Sequence, residues 1–172
     1  MGSIGNGLRR LPGRRPVVSL LVAVLAVEIA GASGAVFTAS GLDGWYGTLV
    51  QPALAPPDWV FAPVWTVLFA LLGVAVWLVW RRADDRATAG PARVAIATFG
   101  VHFAFNVAWS AAFFGRRSIE LGLGVIVGLW GLIVLTAWAF ARVDRRAALL
   151  LLPYLLWVTF AAYLNYRFWI LN

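Results

Sequence analysis

Two ionisable side chains stand in the middle of otherwise apolar stretches of this sequence. Glu28 lies in an apolar run at about 17–39, and His102, the single histidine, lies in another at about 93–113. A carboxyl in such a place is costly and by default functional. It can serve as a protonated hydrogen-bonding group, a proton relay or a contact between helices, and a neutral structural carboxyl is the plainer reading. Its helical face also carries Gly31, Ala32 and Ala35, small residues that let another helix approach closely. A histidine there is a candidate haem ligand, but the chain offers no second histidine, no cysteine and only Met1 as thioether. The sequence shows no metal-ligand cluster, no nucleophile paired with a base and no phosphate-cradling loop. No catalytic residue and no metal site are therefore assigned.

The stronger signal is aromatic. The chain holds ten tryptophans. Asn106, Trp109 and Phe113 have i, i+3, i+7 spacing and share one helical face; Trp157, Ala161, Leu164 and Phe168 share another. Trp45, Tyr46 and Trp65, with Asn165, reach the same depth by the topology derived below. Tryptophan offers stacking area and an N–H donor, and asparagine offers both donor and acceptor. Together they suit a flat aromatic ligand with a polar edge. Two plainer roles stand beside this one. Trp45, Tyr46, Trp59, Trp80 and Trp169 lie near the ends of apolar runs, where aromatic residues anchor helices at a membrane surface. Asn106 and Asn165 can bond from helix to helix.

The elements that must position these residues follow from composition. Of 172 residues, 62% are hydrophobic and 12% charged, against about half apolar and a quarter charged in a soluble domain. That argues against a soluble globule and against disorder. Apolar runs at about 17–39, 57–81, 93–113, 120–141 and 147–171 are each long enough to cross a bilayer, which takes roughly 20 residues. The sequence thus predicts an all-α integral membrane protein, a bundle of five transmembrane helices. A basic tail, 1–16, precedes a single membrane domain, 17–172. Gly41, Gly44, Gly47, Pro52, Pro56 and Pro57 break the chain between the first two spans. Pro63 and Pro153 are expected to kink the second and fifth. The small-residue stripe Gly100, Ala104, Ala108 and Ala112 suits helix association and predicts a homodimer.

All fourteen basic residues are arginine. Five spans place Arg9, Arg10, Arg14, Arg15, Arg81, Arg82, Arg86, Arg93, Arg142, Arg145 and Arg146 on one side, and only Arg116, Arg117 and Arg167 on the other. The bias predicts a cytoplasmic N-terminus and an outer C-terminus. Arginines set between membrane runs fit topology rather than a nucleic-acid face, so no nucleic-acid partner is expected.

The segment Trp45-Tyr46, Gln51-Pro52, then Pro56-Pro57-Asp58-Trp59-Val60-Phe61-Ala62-Pro63-Val64-Trp65-Thr66 resembles the signature of the TspO/MBR family. These are the tryptophan-rich sensory proteins of bacteria and the mitochondrial translocator proteins, or peripheral benzodiazepine receptors. Phe105-Asn106-x-x-Trp109-Ser110-x-x-Phe113-Phe114-Gly115, Pro153-Tyr154-x-x-Trp157-x-x-Phe160-Ala161 and Leu164-Asn165-Tyr166 agree in order and spacing. The resemblance implies a ligand cavity beneath the first loop that takes porphyrins or haem. It carries over Trp65, Asn106, Trp109, Ala161 and Leu164 as pocket positions, with Trp45 and Tyr46 in the loop. Protoporphyrin IX or haem is then the expected ligand, and no cofactor is required. The expected role is sensing or regulating porphyrin level; the alternatives are light-dependent porphyrin breakdown and transport of porphyrins or sterol-like molecules. The loop departs from the usual pattern at Gln51, where lysine is common, and at Ala53, Leu54 and Ala55, where an aromatic is common. Arg116, Arg117 and Arg167 are candidate contacts for porphyrin propionates, since arginine binds carboxylate bidentately; ordinary interfacial placement of these arginines is the plainer reading.

Overall fold

The computed structural model describes residues 15–172, apart from the side chains of Ser40, Leu42 and Asp43. Most of the predicted tail, with Arg9, Arg10 and Arg14, lies outside the described residues. Helix α1 runs Pro16–Gly41 and passes into a π-helical turn, Leu42–Tyr46. After the loop, a single 3₁₀ turn at Asp58–Val60 leads into α2, Phe61–Trp80. Helix α3, Ala89–Ser110, ends in a second π-helical turn at Ala111–Gly115. Helix α4 is Ile119–Ala141, α5 is Arg145–Leu149 and α6 is Leu152–Leu171. Five segments have the length and apolarity to cross a bilayer: Pro16–Ala39, Asp58–Trp80, Ala89–Gly115, Ile119–Ala141 and Arg145–Leu171. The protein is an all-α integral membrane bundle.

Both prolines expected to kink a span instead sit at helix starts. Pro63 is in the first turn of α2, where its missing N–H is not needed. Pro153 follows a full break: the fifth span stops at Leu149, turns at Leu150 and Leu151, and restarts as α6. The proline has no N–H for the Leu149 carbonyl, so the helix ends rather than bends.

Neighbouring spans pack as an up-and-down bundle, α1 on α2, α3 on α4 and α4 on α6, with α1 also against α3. The tightest backbone approach is between α1 and α2. A Cβ on Gly73 would lie 2.5 Å from the Cα of Val24. At the same end the Trp77 indole donates to the Ser19 hydroxyl at 3.0 Å. Arg82 meets Asp144 at 3.7 Å across the second and fourth loops, so the arginine-rich loops share one end. Arg81 and Arg142 each lie over a tryptophan one turn away, at 4.6 and 4.8 Å.

That end is solid. Leu72, Ala75, Val79, Ile133, Phe140 and Tyr154 have no exposed surface. The opposite half of the bundle is hollow. There, α2 and α6 meet through long aromatic side chains, Trp65 on Tyr154 at 6.1 Å and Phe61 on Trp157 at 6.0 Å.

Candidate functional site

The hollow half encloses a cavity of about 430 Å³, within the range of small-molecule sites. Its walls come from α1, α2, α3 with the turn that follows it, and α6. Tyr46, Trp65, Asn106, Trp109, Phe113, Ala161, Leu164 and Asn165 all line it. Trp45 does not. It stands behind the wall, edge-on to Phe113 at 5.5 Å. The neighbouring Tyr46, one position on in the π-helical turn, takes the cavity position. Tyr46 is buried against Phe114 and Phe168, at 5.7 and 5.5 Å. Burial, and then the nearby Asp58 carboxylate, push its hydroxyl up to about 12.

The polar groups of the site are largely used between helices. Asn106, 5% exposed, donates from Nδ2 to the Tyr154 hydroxyl at 2.8 Å, joining α3 to α6. The Trp109 indole Nε1 donates to Asn165 Oδ1 at 3.0 Å. Asn165 in turn donates to the Ile119 carbonyl at 2.9 Å, tying α6 to the start of α4. The Trp109 N–H is therefore occupied by the protein. What Trp109 offers a ligand is its ring, stacked on Phe113 at 5.6 Å and 24°.

Trp65 is placed differently. Half-buried on the cavity wall, it packs on Phe69 at 5.3 Å. Phe61, Trp65 and Phe69 recur every four residues along α2 and form one aromatic wall. Trp157 on α6 faces it. The sequence reading placed Trp157 on the same face as Ala161 and Leu164 without assigning it to the site. Phe61 and Phe69 also line the cavity without having been assigned to the site, though their spacing from Trp65 is the same helical signal.

Arg116, Arg117 and Arg167 do not line the cavity. Arg116 and Arg117 are exposed in the connection to α4. Arg117 holds a left-handed backbone, φ 52, just before Ser118 caps α4 by accepting from the Leu121 N–H. His102 is also off the cavity. Fully buried, it lies between Phe99 and Tyr154, each 5.3 Å away, and both ring nitrogens lack partners. That position gives it no reach to a tetrapyrrole held in the cavity. Among the described residues, no group of three or more His, Cys, Asp or Glu could hold a metal.

The loop between Tyr46 and Asp58, both on the cavity wall, is fastened at two points. Gln51 donates to the Tyr46 carbonyl at 3.3 Å, so the residue that departs from the usual lysine fastens the loop to its own start. Asn172, beyond α6, grips Val50 from both sides: it accepts the Val50 N–H at 2.8 Å and donates to the Val50 carbonyl at 3.3 Å.

Residues 23–170 match the sequence profile of the TspO/MBR family. The chain is 41% identical to the tryptophan-rich protein TspO of Chlorobaculum tepidum, over 92% of this chain and 98% of that one. It is 33% identical to the translocator protein of Bos taurus, over 90% of each. To the tryptophan-rich sensory protein of Cereibacter sphaeroides it is 34% identical, over 86% of this chain and 91% of that one. With matches of this extent and the five-span bundle just described, the chain belongs to the TspO/MBR family of integral membrane proteins.

Proposed function

We propose that the protein binds a flat, largely apolar tetrapyrrole in this cavity and acts as a membrane sensor of porphyrin level. The observation that carries the reading is the cavity itself. About 430 Å³ are walled by Trp65, Trp109, Trp157, Phe61, Phe69 and Phe113 beside a fastened loop. Aromatic walls suit a planar ring system, which they hold by stacking and burial rather than by hydrogen bonds. Since the three outer arginines are not on the wall, a porphyrin's propionates would have to extend past it to meet them. The arginine bias favours an arginine-rich end in the cytoplasm and the cavity in the outer leaflet. Gly100, Ala104 and Ala108 stay exposed on α3; this stripe favours a homodimer through that helix.

The test is a titration of protoporphyrin IX in the dark into purified protein, followed by the Soret band and tryptophan quenching. Trp65→Leu is the informative variant, because Trp65 stands in the wall and no hydrogen bond between helices depends on it. Saturable binding that weakens about tenfold in Trp65→Leu, as loss of one stacked aromatic implies, is the expected result. Absence of saturable binding, or binding indifferent to Trp65, overturns the reading.

A further inference from the structure

The cavity opens sideways between α1 and α2. Toward the arginine-rich end these helices are locked together at Gly73 and Val24. Beyond these, the Phe69 ring of α2 still packs on Gly31 of α1; past that contact, Ala32 and Ala35 of α1 and Ala62 and Thr66 of α2 are all exposed while lining the cavity. Glu28 is the sill of this mouth. It lines the cavity and lies partly exposed, about 18 Å along α1 from Pro16, well inside the span.

Among the described residues nothing hydrogen-bonds or ion-pairs with the Glu28 carboxyl. Nor does any arginine, lysine or histidine line the cavity; its ionisable lining is Glu28, with Asp58 and Tyr46 at the two ends of the loop. The Thr66 hydroxyl across the mouth is directed to the Ala62 carbonyl at 3.0 Å. A carboxylate at bilayer depth is costly unless a cation or a strong donor meets it. The chain supplies neither, so a basic group that arrives with a ligand would meet an acceptor with no competing partner.

We propose that Glu28 makes this mouth a recognition point for amphiphilic amines: apolar molecules, dissolved in the bilayer, whose basic nitrogen stops at the sill while their apolar body enters the aromatic cavity. The inference rests on the cavity being a ligand site, but not on a tetrapyrrole being its ligand.

The experiment uses the full chain in nanodiscs. Two probes are compared by energy transfer from tryptophan: dansylcadaverine, and the analogue in which a hydroxyl replaces the terminal amine. The amine is expected to bind at least tenfold more tightly than the alcohol, the value of a hydrogen bond to a charged group. Glu28→Gln should bring the two affinities together by weakening the amine alone; its unchanged alcohol binding reports that the variant is folded. Equal affinities in the unaltered protein overturn the proposal whatever the variant does. So does a preference that survives Glu28→Gln. If neither probe binds while protoporphyrin IX does, the amine proposal fails and the cavity reading stands. If none of the three binds, both fall.

Discussion

Replacing Asn165 tests whether the polar groups of the cavity wall serve the bundle or the ligand. The side chain is 2% exposed, accepts from the Trp109 indole at 3.0 Å and donates to the Ile119 carbonyl at 2.9 Å. Asn165→Leu keeps the approximate size and removes both bonds. Hydrogen bonds between membrane helices average about 0.6 kcal/mol and reach about 1.7, and a buried donor left unpaired costs about 1–3 kcal/mol. The expected loss of stability is therefore roughly 1–3 kcal/mol. Trp109→Phe removes the shared bond and part of the stacking on Phe113, for roughly 1–2 kcal/mol. With both changes present the shared bond is lost only once. The double variant should then fall short of the sum of the singles by about 0.6–1.7 kcal/mol. The assay is reversible unfolding in mixed micelles of a mild detergent and dodecyl sulfate, followed by the helical circular-dichroism signal. Additivity within about 0.3 kcal/mol would show that Trp109 and Asn165 are not coupled, and would return the indole N–H to the ligand.

Three further outcomes follow from single positions. Gly73→Ala should destabilise by about 1–3 kcal/mol in the same assay, because its Cβ would meet the Val24 backbone at 2.5 Å; Gly100→Ala, with nothing within 4 Å, should be neutral or gain up to about 1 kcal/mol. His102→Leu should change stability by less than about 1 kcal/mol, or raise it, since it removes two buried nitrogens that have no partners; a loss above about 2 kcal/mol would mean those nitrogens are bonded. Tyr46 keeps its proton in the folded protein up to about pH 12, whereas an unfolded tyrosine loses it near 10. The folded state binds more protons across that window, so this contribution to stability is complete below pH 10 and is lost as pH rises from 10 to 12. Absorbance at 295 nm should lose its component that titrates near pH 12 in Tyr46→Phe.

The fold was open to reading because a bilayer imposes length and apolarity on each span, and the runs expected at 120–141 and 17–39 appear as Ile119–Ala141 and Pro16–Ala39. The facing of Asn106, Trp109, Phe113, Ala161 and Leu164 was open too, since helical periodicity fixes which residues share a face before any partner is known. The pairing of polar groups was not. Asn106 finds Tyr154 48 residues away, and that depends on the rotation of α3 against α6, which neither segment encodes alone. Trp45 and Tyr46 are sequence neighbours with equal claims on a cavity position. Which of them turns inward depends on how the π-helical turn Leu42–Tyr46 is rotated against the bundle. The fifth span shows a third limit. Pro153 was a visible breaker, but whether a proline bends or ends a helix depends on whether the chain beyond it can turn and restart. Here Leu150 and Leu151 do so, closing on the Arg146 and Ala148 carbonyls at 3.2 and 3.1 Å.

These pairings decide how the cavity can recognise anything. Asn106, Trp109 and Asn165 would each be a strong hydrogen-bonding point for a ligand if free, but their bonds run between α3, α4 and α6. A ligand that competed for them would have to loosen the walls that hold it. The energetically open contacts are the aromatic faces of Trp65, Phe61 and Phe69, where affinity grows with apolar area buried, at about 25 cal/mol per Å². Such a site discriminates by shape and tolerates many polar decorations. Selectivity then has to come from the few polar atoms that remain available: the Asn106 side-chain carbonyl oxygen and the Ser110 hydroxyl on the wall, and Asp58 and Glu28 at its margins. The loop is held by the Asn172 clasp on Val50, whereas the mouth is bordered by alanines and a threonine. A molecule arriving through the bilayer therefore passes Glu28 before it reaches the aromatic wall.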